Sequence, residues 1–382
     1  MYFRLNPECY FIQGSKRGAI FDLIDSRIYA LSPEETELIE SSEKNQPVSG
    51  HEEFLHELKK LRLGTFYDNR TYMYKVRVIN SSMEEELKFQ TNLSRTFLEI
   101  NNSCQRDCWF CGWHGVSRSM GCMGCNKWNE DGRPLEIGRW KGLVDELRDL
   151  DCKDIVITGG DLTLAWDKTM EILDYAKGKF SKIHMVLHQD SLSKSHLDDL
   201  DGRARPIIQT ENLSNAVAKE GFTPLLAVKP EHYGDIWNFI PENKDALLDF
   251  AIKDGQLSND LPIMSNKKIK MPGIYQFSRH MRYHPCIGGT LAISYTGNVL
   301  PCPMMRGHSF GNVGDGELYT IFEKGLDEIN KFWKLTLDKI DKCRCCEFRY
   351  SCTDCRALDE SLTGRLEGKK VCSYDPEEGA WA

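Results

Sequence analysis

The hydrophobic pattern changes rhythm twice along the chain. In the first 75 or so residues, Tyr10-Phe-Ile-Gln, Ala19-Ile-Phe-Asp-Leu-Ile and Arg27-Ile-Tyr-Ala-Leu are short apolar runs broken by Gly14, Gly18 and Asp25-Ser. Runs rich in aromatic and β-branched residues between such breakers predict three short strands. Ser32-Pro-Glu-Glu then supplies a helix N-cap, a proline at the first helical position and acidic residues in the first turn. A second helix is expected around Glu52 to Leu63, with Phe54, Leu55, Leu58 and Leu61 on one face.

From about residue 95 to 275 the period alternates between strand and helix. Thr96-Phe-Leu-Glu-Ile, Asp154-Ile-Val-Ile-Thr, Ile183-His-Met-Val-Leu, Pro206-Ile-Ile-Gln and Phe222-Thr-Pro-Leu-Leu-Ala-Val read as strands. Trp140, Leu143, Val144, Leu147 and Leu150 recur at helical spacing, and further helices are expected around 166–177 and 192–200. Strand–helix alternation predicts a parallel sheet with crossover helices, open or curled into a barrel. Sites in such folds lie at the C-terminal ends of the strands. After about Met281 the helical rhythm fades, except near 319–335, and cysteines dominate.

Composition narrows the class. The chain has 382 residues, enough for two or three domains, and its 41% hydrophobic content suffices for an ordinary core. A net charge of -8 argues against a general nucleic-acid or anionic-membrane partner. The N-terminus lacks a signal-peptide pattern, and no stretch approaches the roughly 18 apolar residues of a membrane span. Fifteen cysteines in a chain of this kind fit a reducing cytoplasm in which thiolates bind metal better than they fit disulfides. Cys9 and Cys152 stand alone and read as buried thiols.

The other cysteines are grouped. Cys104-x3-Cys108-x2-Cys111 follows the Thr96–Ile100 strand, so it lies at a strand end. A four-iron cubane wants four thiolates, and a three-cysteine loop leaves one iron able to bind a reactant. The same residues could be half of a zinc site completed by Cys122 or Cys125. Those two could instead form a redox pair, line a substrate channel or sit unpaired in a flexible lid. One strand later comes Thr158-Gly159-Gly160-Asp161, where glycine permits close backbone approach and a carboxylate can receive an ammonium group. His188, Gln189, Asp190 and Lys229 also lie at expected strand ends. The tail carries Cys286-x10-Gly297-x4-Cys302, then Cys343-x2-Cys346-x5-Cys352-x2-Cys355, and Cys372. Seven thiols nearly suffice for two four-iron clusters, and two or three zinc sites are the alternative.

Taken together in this order, the motifs resemble the radical S-adenosylmethionine (SAM) superfamily, in particular peptide maturases with a C-terminal SPASM domain. The resemblance spans roughly residues 95 to 377. It implies a partial (β/α)6 TIM-like barrel over 90–278 and an auxiliary iron–sulfur domain over 279–382. The strands and helices of 1–80 resemble the winged-helix-like α+β module that binds leader peptides in many peptide-modifying systems. The resemblance further implies a [4Fe-4S] cluster on Cys104, Cys108 and Cys111, whose open iron chelates SAM. Gly159, Gly160 and Asp161 would meet the methionine amino group, and Phe110 would lie beside the adenine. Gln209 and Glu211 are candidates for ribose contacts by position.

By matching order, Cys343, Cys346, Cys352 and Cys372 would hold one auxiliary cluster. Cys286, Cys302 and Cys355 would hold the other, with one iron open or bound by another residue. His280 stands where many members have a further cysteine and is a candidate ligand, and the last pair of the four-cysteine run is one residue closer than usual. The reaction implied is reductive SAM cleavage followed by hydrogen abstraction from a ribosomally made precursor peptide, for crosslinking, epimerisation or backbone excision. Expected partners are that peptide, a flavodoxin or ferredoxin, and in some systems a separate leader-binding protein. An anaerobic sulfatase-activating type of maturase and a non-catalytic iron–sulfur peptide-binding subunit are the alternatives.

Overall fold

The computed structural model describes residues 1–50, 52–77, 93–216, 221–233, 236, 245–252, 269, 272–314 and 316–381. The expected boundary between the first two units, near residues 80–90, lies outside them. The N-terminal part contains β1 (Tyr2–Leu5), β2 (Cys9–Gln13), β3 (Gly18–Asp22), β4 (Arg27–Ala30), α1 (Pro33–Glu43), α2 (Glu52–Lys60) and β5 (Gly64–Tyr67). The three expected strands are β2, β3 and β4, an antiparallel sheet in that order. Ser32 caps α1 in a reciprocal box: its Oγ accepts from the Glu35 N–H (3.2 Å) and Glu35 Oε2 accepts from the Ser32 N–H (2.7 Å). Leu5, Ile20, Ile39, Leu55 and Leu58 form the core beneath the helices, each full burial contributing about 1.5–3 kcal/mol.

The unexpected strands are β1 and β5, which pair antiparallel. β1 hides from a hydrophobicity pattern because it is four residues long and carries the buried cation Arg4 between its core residues Phe3 and Leu5. That guanidinium is buried and donates to the Ser42 carbonyl at 2.7 Å, as a buried cation requires.

The larger part is mixed α/β. Its strands are β6 (Arg95–Asn101), β7 (Ser117–Arg118), β8 (Asp154–Gly159), β9 (Lys182–His188), β10 (Arg205–Thr210), β11 (Thr223–Val228), β12 (Leu247–Ile252), β13 (Thr290–Ile293), β14 (Asn298–Leu300) and β15 (Gly311–Asn312). They form one sheet in the order β15-β14-β13-β6-β8-β9-β10-β11-β12-β7. From β13 through β12 every pairing is parallel. The helices are α3 (Ile137–Asp149), α4 (Trp166–Ala176), α5 (Lys194–Leu200), α6 (Ile274–His280), α7 (Leu318–Trp333) and α8 (Arg356–Thr363), and β16 (Tyr374–Asp375) and β17 (Ala380–Trp381) close the chain. Among the described residues no helix is long and apolar enough to cross a membrane.

Period-two alternation sorts the side chains. Leu98, Ile100, Ile155, Ile157, Met185 and Leu187 pack under α3, α4 and α7. Phe97, Val156, Val186, Ile207 and Leu225 point to the opposite face. There they meet Met120, Cys122, Met123 and Cys125 of the segment between β7 and α3. Two residues further along the strands, on this same inner face, stand the buried polar residues Glu99, Thr158, His188, Gln209 and Asp249.

These polar groups hold the inserted segment. Thr158 Oγ1 donates to the Gly124 carbonyl (3.1 Å), and the Cys125 N–H donates to Gln209 Oε1 (2.8 Å). Arg118 Nε donates to Asp249 Oδ2 (2.7 Å), both side chains wholly buried. The loop that could have been a flexible lid is a plug seated inside the sheet.

The N-terminal sheet rests on the tail. Ile12, Ala19 and Phe21 pack against Phe277 of α6 and against Tyr350. The Ser15 N–H donates to the Cys345 carbonyl (2.8 Å), and Arg349 Nη1 donates to the Gln13 carbonyl (2.8 Å).

Candidate active site and metal centres

The ends of β6 and β8 are stitched together. The Gly160 N–H donates to the Asn101 carbonyl (2.6 Å) and the Asp161 N–H to the Ser103 carbonyl (2.8 Å). Asn101 Nδ2 donates to the Asp161 carbonyl at 2.8 Å. Glycine is required here on steric grounds. Gly159 has φ +135, and a β-carbon on it would lie 2.1 Å from the Asn101 carbonyl oxygen. On Gly160 it would lie 2.4 Å from the Ser103 oxygen. Both obstacles are backbone, which cannot swing away.

Beyond this seam lies a partly open cavity walled by Cys104, Cys108, Cys111, Phe110, Gly160 and Asp161. The three thiols of the loop and the Gly-Asp pair one strand away therefore face one space. Arg106, Cys125, Asn126, Lys127 and His188 complete the wall. Two backbone N–H groups donate to the sulfurs, Lys127 to Cys111 Sγ (3.2 Å) and Arg106 to Cys104 Sγ (3.4 Å). Such bonds stabilise thiolates and tune the metal they hold. Burial pushes the Cys108 thiol up to about 12, a penalty that metal ligation removes by deprotonating the sulfur outright.

Asp161 is pre-set as an anion. Burial alone would raise its carboxyl, but hydrogen bonds from Ser191 and Thr163 outweigh it and hold the group below its ordinary value. Its Oδ2 accepts from Ser191 Oγ (2.6 Å), and its Oδ1 accepts from Thr163 Oγ1 (2.7 Å). Ser191 in turn accepts from Arg106 Nε (3.1 Å), which also pairs with Asp190 (2.9 Å). Arg106 thus ties the cysteine loop to the end of β9. Sequence reasoning passed over it, although it sits between Cys104 and Cys108.

Phe110 is fully buried, with its ring near-parallel to His188 at 6.5 Å and the Arg118 guanidinium 5.0 Å from its centroid. Burial, and after it the Arg106 charge, lower the His188 imidazole, so it is neutral near pH 7. Gln209 and Glu211 lie beside the cavity rather than in its wall. Gln209 Oε1 accepts from the Cys125 N–H and thiol, the latter at 3.0 Å. Glu211 Oε2 accepts from Trp109 Nε1 (2.7 Å) and faces Lys229 Nζ (3.7 Å).

The tail gathers its thiols into two groups. Cys343 and Cys352 pack on Leu335, Leu337 and Ile340, and Cys372 is an electrostatic neighbour of Cys343, Cys346 and Cys352. Cys302 and Cys355 pack with Ile287, Met305 and Phe332, and Cys286 neighbours both sulfurs. A buried ion network lies between the groups. Lys369 Nζ donates to Asp354 Oδ1 (2.6 Å) and Asp359 Oδ2 (2.7 Å), and His284 Nε2 donates to Asp354 Oδ2 (2.9 Å). Arg356 Nη2 pairs with Asp359 (3.2 Å), while its Nη1 is buried with no acceptor among the described residues. His280 is held on α6 with its Nδ1 donating to the Tyr350 carbonyl at 2.8 Å.

All of these cysteines are free thiols. Soft donors in groups of three and four, beside N–H···S bonds and an orphaned guanidinium N–H, suit an anionic iron–sulfur group. Residues 286–347 match the SPASM family, an iron–sulfur cluster-binding domain. This stretch of the tail is therefore similar to a SPASM domain.

The matched segment includes Cys286, Cys302, Cys343 and Cys346, and it contributes β13 to β15 to the central sheet. A search of curated proteins finds no match. Among solved structures the chain is similar to Streptococcus suis SuiB bound to S-adenosylmethionine, at 14% identity and a TM-score of 0.45, covering 96% of this chain and 98% of that one. It is similar to the same protein bound to the precursor peptide SuiA, at 13% and 0.47 with the same coverage. BtrN in complex with AdoMet and 2-DOIA follows at 16% and 0.38, covering 70% of this chain and 96% of that one. These likenesses are distant.

Proposed function

We propose that the chain is a radical SAM enzyme that cleaves S-adenosylmethionine reductively and abstracts hydrogen from a residue of a precursor peptide. The observation that carries this is the shared cavity of Cys104, Cys108, Cys111, Phe110, Gly160 and Asp161. In this reading the sequential parallel strands β6 and β8 to β12 form the partial barrel, with the site at their C-terminal ends. Cys104, Cys108 and Cys111 would hold a four-iron cluster, and the chemistry it would supply is the one-electron reductive cleavage of SAM to methionine and a 5′-deoxyadenosyl radical.

The chain's own residues bind and orient. The Asp161 carboxylate accepts the methionine ammonium, and Ser191, Thr163 and Arg106 fix its rotamer. Gly159 and Gly160 leave room for the amino-acid end, and Phe110 offers an apolar surface to the adenine. The plug of residues 119–126 excludes water from the inner face, which protects a radical from side reactions. The electron would come from an external one-electron donor of the flavodoxin or ferredoxin class. The radical takes a hydrogen atom from the substrate carbon, leaving 5′-deoxyadenosine and a substrate radical.

A peptide substrate is supported by the SPASM tail and by the module docked on it. There β4 is an edge strand exposed at both ends, a place where an extended leader could add as a further strand. Replacing Cys104, Cys108 and Cys111 with Ala should abolish deoxyadenosine formation with dithionite and SAM while tail iron is retained. Continued formation in that variant refutes the assignment. The mass change of a precursor peptide co-expressed with the protein then identifies the bond made.

A further inference from the structure

We propose that Cys122, carried by the plug inside the parallel sheet, is the fourth thiolate of the tail site formed by Cys286, Cys302 and Cys355. The auxiliary cluster there is then ligated wholly by protein and presents no open iron to substrate. This rests on the iron–sulfur reading of the tail, and it brings in a residue about 160 positions before the SPASM segment.

The path of the loop brings Cys122 there. β7 pairs antiparallel with β12, Arg118 opposite Ala251, and the Met120 N–H donates to Asp249 Oδ1 at 3.1 Å. The chain then turns through Gly121–Met123 and presents Cys122 to the tail. Cys122 packs against the apolar cluster that contains Cys302, and the two thiols are close electrostatic neighbours. Cys122 and Cys355 pack on the same apolar patch of Ile287, Cys302 and Met305. The Cys355 thiol reaches back to the Arg118 carbonyl at 3.8 Å, and Ser361 of α8 bonds Ser117 of β7 at 2.7 Å. Cys286 directly precedes Ile287 of that patch, and the Cys122 sulfur bears on its thiol.

Four thiols therefore meet at one place. A thiol is a weak hydrogen-bonding group, and an apolar patch gives no other reason to assemble four thiols. A cubane iron–sulfur cluster wants that number and that softness of donor. Cys125, three residues on, behaves differently: its thiol donates to Gln209 Oε1, and it lines the cavity of the cysteine loop. The plug thus turns one cysteine to each centre. His280, the position-based candidate, donates through Nδ1 to the Tyr350 carbonyl, which leaves Nε2 as its only possible ligand atom, and the charged groups bearing on it are Arg279 and His284.

The test uses the full chain with Cys104, Cys108 and Cys111 changed to Ala, so that iron spectra report the tail alone. Reconstituted without oxygen, this background should hold about eight irons, all in thiolate-rich coordination, with a Mössbauer spectrum unmoved by imidazole. Adding Cys122→Ala should set apart about one iron in eight, giving a new doublet that shifts with imidazole, or should lose that iron to a three-iron cluster seen by electron paramagnetic resonance. Cys122→Ser, which keeps volume and an oxygen donor, should show the same distinct iron in a chain with unchanged circular dichroism. Cys125→Ala and His280→Ala should leave the spectrum as it was.

An unchanged spectrum in both Cys122 variants, or an imidazole shift in the background itself, overturns the assignment. So does a change produced by His280→Ala instead, and so does a background that binds no iron. Deoxyadenosine formation by the chain with its loop intact reads separately on the radical SAM proposal. Its failure beside a positive Cys122 result would leave this ligand standing.

Discussion

Gly160→Ala tests the seam between the cysteine loop and β8 with a single methyl group. The added β-carbon would lie 2.4 Å from the Ser103 carbonyl oxygen, where ordinary contact begins at 3.4 Å. The two strand ends must therefore part by about 1 Å, since packed atoms at the shorter separation are strongly repelled. Two hydrogen bonds lie across that gap, Gly160 N–H to Asn101 and Asp161 N–H to Ser103, at 2.6 and 2.8 Å. Ser103 adjoins Cys104, so the shift moves the Asp161 carboxylate relative to the thiols. A 1 Å misplacement of reacting groups costs on the order of 10²-fold in rate, and overpacking costs about 1–3 kcal/mol of stability.

The assay is the initial rate of deoxyadenosine formation against SAM concentration in dithionite-reduced protein, with iron per chain measured on the same samples. We expect kcat/KM to fall about 10²-fold with iron unchanged. Gly138→Ala is the control: it lies in α3 with nothing within 4 Å of the added carbon, and it should be neutral or gain up to about 1 kcal/mol from helix propensity. A Gly160→Ala enzyme within about twofold of wild type would refute the argument.

Lys369→Met removes the cation shared by Asp354 and Asp359, all three at most 2% exposed. Breaking a buried ion pair costs about 3–5 kcal/mol, and a loss below about 1 kcal/mol by denaturant unfolding would mean that the network is not held as described. Burial, and after it Arg95, depress the His184 imidazole below its ordinary 6.5. The unfolded chain then takes up a proton near pH 6.5 that the folded chain resists, so this stability is present above pH 6.5 and lost as the pH falls through the folded value. In His184→Gln the unfolding midpoint should fall less between about pH 7 and pH 5.5, and equal slopes in the two proteins would count against the assignment.

Much of the fold was legible because most strands are uninterrupted apolar runs. β6, β8, β9, β10 and β11 and helices α3 and α7 lie within a few residues of their expected places. Two of the strands that escaped carry a buried charge, Arg4 in β1 and Asp249 in β12, while β5 and β13 are only four residues long. Asp249 is paired with Arg118, 131 residues away, and no local window contains both halves of that pair. The three loop cysteines and Gly159-Gly160-Asp161 could be linked because consecutive parallel strands are neighbours. What fills the inner face was not legible, since alternation says which side a residue faces and not what it meets there. Gln209 shows this: a polar strand end suggested a cofactor contact, and nothing in the sequence said that its amide oxygen also meets the Cys125 N–H.

The edge of β6 has a history in time as well as a place in the sheet. β13 covers that edge, Thr290 opposite Arg95, and the two partners are 195 residues apart. A ribosome adding about 5–20 residues per second finishes β6 roughly 10–40 seconds before its cover exists. During that interval Phe97, Leu98 and Ile100 belong to a strand with one bare side, open to pairing with another nascent chain. How well cells produce this protein therefore depends on what guards one seven-residue strand while the rest of the chain is still being made.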